Sequence, residues 1–149
     1  MANKKISELT SATALTGTEQ IPIVQSSTTK KTTVNDFKNY MIPKTETAQA
    51  SNDVDLGDSD YANAFLIVLS WSGGNGRATY TLPDATTNQN RLIRFITDST
   101  FHNSTHVDLT PASGQNLDGS SSAYDINKEY EGIAVWSNGT EWFIIQKKA

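Results

Sequence analysis

The sequence predicts a mainly β protein: an N-terminal β-hairpin arm with a short helix, then a C-terminal antiparallel β-sandwich-like domain that trimerises. Three observations point there. Short apolar runs recur between turn residues along most of the chain. Uncharged polar residues, chiefly Thr, Ser and Asn, stand where charge is scarce, at 19% of 149 residues; threonine suits a pleated, solvent-facing surface. Finally, Asn138-Gly139 lies between two apolar runs, the strongest short-range hairpin signal.

The arm covers residues 1–43. "KISEL" fits a turn of helix or an extended hook, and "TGTE" a turn. "EQIPIVQ" reads as a strand, with Pro22 placing it at a sheet edge because proline cannot donate to a ladder. "SST" reverses the chain and "TKKTTV" returns as a second strand. Asn35 or Asp36 is expected to cap a short helix, "DFKNYM", ending near Pro43. A lone hairpin in water is marginal, and units of about 40 residues need staples or partners. The chain has no cysteine to supply a staple. The arm is therefore expected to fold against copies of itself or another protein.

Residues 44–62, "KTETAQASNDVDLGDSDYA", are polar and acidic and read as a linker or an extended crossing segment. Residues 63–149 read as the β-domain. "AFLIVLSW" is a continuous apolar strand with both faces buried. "SGGNG" turns the chain, and "RATYTLP" alternates with Ala78, Tyr80 and Leu82 on one face. "RLIRFIT", "HVDLTP" and "AYDI" follow as strands. In the last hairpin, "YEGIAVWSNGTEWFIIQ", a two-residue loop pairs Ser137 with Thr140, Val135 with Trp142 and Ile133 with Ile144. On the other face Ala134 meets Phe143, and Trp136 sits beside Glu141. Both faces are apolar, yet a small domain has one core. The second face, with Trp136, Phe143 and Ile145, is the candidate oligomer interface, covered by sister subunits. Cover by the linker is the alternative.

A net charge of −4 and a pI near 5.0 give no electrostatic footprint for nucleic acid. The absence of cysteine rules out disulfides and thiol chemistry and fits a reducing compartment. No apolar segment follows Lys5 as a signal peptide requires, and the longest apolar run, residues 64–69, is too short to cross a bilayer. His102 and His106 have a spacing that holds metal on a helix, but "HNSTH" reads as loop and strand and no Glu or Cys completes a ligand set. Asp53, Asp55, Asp58 and Asp60 gather oxygens of the kind calcium takes, without an EF-hand's glycine or closing glutamate. A solvated acidic segment is preferred there. "SGGNGR" lies between strands, so it is read as a turn, not a phosphate loop. No nucleophile elbow or singled-out carboxylate pair appears, so neither an enzyme nor a cofactor is expected. Among the strand aromatics packing is the preferred reading, with Trp71 and Tyr80 as candidate glycan contacts.

The ordered series "KISELTSATALTGTEQIPIVQSSTTKKTTVNDF", residues 5–37, resembles the N-terminal segment of tailed-bacteriophage fibre proteins. "YTLPDA", "GQNLDGSSSAYDI" and "GIAVWSNGTEWFII" resemble C-terminal β-modules of fibre and tail-spike proteins. The resemblance implies a structural protein of the virion, assembled in the host cytoplasm as a homotrimer. Its N-terminal segment would attach to the capsid or another virion protein, and its β-domain would project outward toward host or environmental glycans. Ile21, Ile23, Val24, Val34 and Phe37 would dock the arm. The modest length, without shaft repeats or a large tip, favours a head fibre or capsid decoration over a tail fibre or tail adaptor. A sugar-binding module outside any virion, and a tail-associated enzyme, are the alternatives of other classes.

Overall fold

The computed structural model describes residues 16, 18–36, 43–58 and 60–148. The chain divides into two compact units, 1–42 and 43–149.

In the first unit, β1 (Gln20–Gln25) and β2 (Thr28–Thr33) pair antiparallel, closed by Gln25 opposite Thr28. Ser26 and Ser27 turn the chain with φ of 51° and 61°. Such a turn matches the strand twist. It also puts two β-carbons in the left-handed region, at about 1–2 kcal/mol per residue. Ser27→Gly is therefore expected to strengthen the hairpin by about 1 kcal/mol, read as slower amide exchange across the β1–β2 ladder.

At the end of β2 the Thr33 backbone N–H and hydroxyl donate to Asp36 Oδ2 at 2.9 and 2.7 Å. The Asp36 N–H returns to Thr33 Oγ1 at 3.2 Å. This reciprocal box makes Thr33 the cap, in place of the expected Asn35 or Asp36, because a cap must reach the residue three positions on. Residues 34–36 begin a helical turn. The remainder of the expected helix, Phe37 included, and the "KISEL" segment lie outside the described residues. Among the described residues of this unit none is buried; Ile21, Ile23 and Val34 are half-buried and Val24 is 76% exposed.

The second unit holds nine strands: β3 (Lys44–Gln49), β4 (Val54–Asp55), β5 (Ala64–Ser70), β6 (Gly76–Thr81), β7 (Leu92–Thr97), β8 (Thr105–Thr110), β9 (Tyr124–Ile126), β10 (Gly132–Ser137) and β11 (Trp142–Lys148). They form a five-stranded sheet, β11-β10-β7-β5-β3, and a four-stranded sheet, β4-β6-β8-β9. From β3 to β8 the chain alternates between the sheets, so β3, β5 and β7 run parallel in one and β4, β6 and β8 parallel in the other. Only β9, β10 and β11 join antiparallel.

The fold is mainly β, as the sequence predicts, but the sheets are mixed. Parallel neighbours need a long crossover, and here a strand of the opposite sheet provides each one. "SGGNG", which resembles a hairpin turn, instead carries the chain from one sheet to the other. The segment expected as a linker is also structured, since residues 44–62 supply β3 and β4. β3 is an edge strand whose buried inward residues are small, Ala48 with Ala50 just beyond it, while Glu46 on the same side is half-buried and paired with Lys44. Alanines at alternate positions do not read as an apolar run.

The two inner faces share one core. Ile67, Leu69, Ile93, Phe95 and Val135 of the larger sheet belong to it with Ala78, Tyr80, Val107, Leu109 and Ile126 of the smaller. Tyr80 is fully buried, and its hydroxyl finds no hydrogen-bond partner among the described residues. Burial pushes the Tyr80 hydroxyl far above the ordinary tyrosine range. Tyr124 is pushed up to about 12, first by burial and then by Glu131, whose carboxylate accepts its hydroxyl at 3.1 Å. Both groups favour the neutral form when folded, so their contribution is complete below the unfolded value of about 10. It is lost as pH rises through the raised values. The melting temperature is expected to fall from about pH 10 upward, with Tyr80 and Tyr124 ionising last in an ultraviolet titration.

Candidate functional site

The outer faces of the two sheets differ in chemistry. On the smaller sheet the cross-strand rows are Arg77 beside His106, Thr79–Asp108–Asp125, and Thr81 beside Thr110. Asp108 and Asp125 are like charges placed opposite each other, which alone destabilises a sheet. Arg77 Nη1 hydrogen-bonds Asp108 and lies 3.7 Å from Asp125, while His106 Nδ1 sits 2.9 Å from Asp125 Oδ1. The cluster compensates itself, and this polar face needs no cover.

The outer face of the larger sheet is largely apolar. One row runs Leu92–Trp136–Phe143. The next runs Thr45–Leu66–Arg94–Ala134–Gln146, and a third Thr47–Val68–Ile96–Gly132–Lys148. The Trp136 and Phe143 rings pack with centroids 6.2 Å apart, both half-exposed. Ile145 is the extra residue of a bulge opposite Ala134 and Val135 and is 58% exposed. All three residues expected at an oligomer interface thus stand on or beside this face. The expected hairpin register does not hold: Ser137 pairs with Trp142, Trp136 with Phe143 and Val135 with Ile144. Asn138 spans a longer loop, its Oδ1 accepting from the Thr140 and Glu141 N–H groups at 2.8 and 2.9 Å. From Val135 to Ser137 the slip is of two residues, which leaves these side chains on their expected faces; past the bulge it is of three, and Gln146 and Lys148 take the outward places.

Within this face lies a hollow of about 190 Å³ floored by Gly132 and Ala134 and flanked by Leu66, Arg94, Ile96, Gln146 and Lys148. Sequence reasoning did not single it out; the only signal was the outward arginine in the apolar run "RLIRFIT". The Arg94 guanidinium stands 5.4 Å over the Phe65 ring. Among the described residues it has no ion pair.

The other candidates fare differently. Trp71 is 7% exposed and donates its Nε1–H to Gly74 O at 2.8 Å; Tyr80 is fully buried. Neither can stack on a sugar, which removes both glycan contacts. Asp53 Oδ1 accepts the Thr79 N–H and Asp55 Oδ1 the Gly57 N–H, so two of the four aspartates fasten backbone. Among the described residues no group of three or more His, Asp or Glu side chains is placed to hold a metal ion. No helix there is long and apolar enough to cross a membrane. No known family matches the chain, and no curated protein matches it by sequence.

Proposed function

We propose that the protein is a non-enzymatic structural component of a tailed-phage virion, a homotrimeric head fibre or capsid decoration. Its N-terminal unit anchors it, and its β-domain is displayed. The observation that carries the self-association is the contrast between the two outer faces: one polar and self-compensated, the other apolar and half-exposed among the described residues of its unit. Contiguous exposed apolar surface of this kind marks an interaction site. The anchoring role is supported by the hairpin unit, which buries none of its described side chains and presents Ile21, Ile23 and Val24 on an edge-like ladder. The virion setting rests on the resemblance of residues 5–37 to fibre proteins. Three linked arms raise attachment strength through avidity without new kinds of contact.

The test is deletion of residues 1–42 followed by incorporation into particles. The β-domain is expected to remain folded and self-associated but to be absent from purified virions. Normal incorporation of the truncated chain would overturn the anchoring role.

A further inference from the structure

We infer that the hollow over Gly132 and Ala134 is a socket for a carboxylate side chain from a second copy of this chain, that of Glu141. The inference deepens the self-association reading above and rests on it. The hollow holds Arg94 and Lys148 against an apolar floor, with no acid among its lining residues. A guanidinium facing apolar surface needs an anion once that surface is covered, because an uncompensated buried charge is costly. The chain carries a net charge of −4, so acids are plentiful on another copy.

Most candidate acids are already engaged. Asp53, Asp55 and Asp118 accept backbone N–H groups, and Asp108 and Asp125 are paired with Arg77 and His106. Glu131 is buried beneath three donors. Glu141 differs. It directly precedes Trp142, whose side chain points into the core, so alternation sets it on the side of Phe143. Among the described residues its carboxylate has no hydrogen bond or ion pair. Among the described residues, the apolar face therefore bears an unpaired anion beside the Trp136–Phe143 row and the unpaired Arg94 guanidinium in the next row. Opposite charges at separate places on one surface suit a head-to-tail contact, in which each copy gives Glu141 to one neighbour and receives Glu141 from the other. Such contacts form a ring where the rotation between copies closes, as a trimer requires. A planar guanidinium can grip a carboxylate through two parallel hydrogen bonds, which also fixes the register between copies.

Sedimentation equilibrium of the full chain tests this, with circular dichroism as the check on folding. Arg94→Glu and Glu141→Arg are each expected to shift the particle to a single chain at micromolar concentration. The double reversal, Arg94→Glu with Glu141→Arg, is expected to restore assembly. Gly132→Leu fills the socket without altering charge. A β-carbon there meets only ordinary contacts at 3.6 and 3.8 Å, so this variant is expected to fold and fail to assemble. Assembly that survives both single reversals, or that the double reversal does not recover, overturns the pairing. If Trp136→Asp dissociates the particle while the charge reversals do not, the apolar interface stands and the socket fails. A wild-type chain that sediments alone overturns both.

Discussion

Trp142→Ala is expected to lower the free energy of unfolding by about 3–5 kcal/mol, enough to threaten the fold of a marginally stable domain. Trp142 is fully buried at the start of β11, and its Nε1–H donates to Pro83 O at 2.9 Å. Its backbone N–H donates to Asn116 O at 3.0 Å, and its carbonyl accepts from the Asp118 N–H at 2.9 Å. One residue thus ties the last strand to the loops after β6 and β8. Truncation leaves a cavity and strands a carbonyl together. Trp142→Phe shifts the balance between the two effects: it loses the donor but only part of the buried ring volume, for about 1–3 kcal/mol. Urea midpoints measured at constant slope give both values.

Phe143→Asp combined with Trp136→Asp is expected to abolish self-association while leaving the domain folded. Neither ring belongs to the core between the sheets, so the inner faces keep their packing. Each large apolar side chain that a neighbour covers contributes about 1.5–3 kcal/mol. Repeating the loss at every interface of a ring multiplies the effect. A carboxylate in place of each ring would also have to be desolvated. The expected readout is a single-chain mass in sedimentation, with near-ultraviolet dichroism from the buried Trp142 retained. Unchanged mass would mean that the exposed face is left bare.

The strands were legible because they carry dense apolar runs or strict alternation, as "AFLIVLSW" and "RATYTLP" do. The two apolar faces of the last hairpin were legible for the same reason, and near the turn they survived a misplaced register because the slip there was even; the bulge at Ile145 was not legible. The β1–β2 and β10–β11 hairpins were legible, but the partners of the strands between them were not. A short turn between two strands looks the same whether the chain doubles back within a sheet or crosses to the facing one. β3 escaped notice because an edge strand with one wet face needs only alanines inward. The aromatics misled for a related reason: Trp71 and Tyr80 look alike as core and as sugar platform until burial is known. The hollow was hidden because Arg94 is far in sequence from Gln146 and Lys148 and meets them only through the β7–β10–β11 ladder.

The alternation of strands between sheets bears on synthesis at the ribosome. No strand from β3 to β8 can zip to its predecessor; β3 and β4 wait for β5 and β6, each later strand reaches back past a strand of the facing sheet, and such non-local pairing is slow. The larger sheet gains its final strand, and the core its Trp142, only when the last stretch of polypeptide emerges. A chain cut before β11 lacks Trp142 and its ties to Pro83, Asn116 and Asp118, so it is expected to stay unfolded and open to proteolysis.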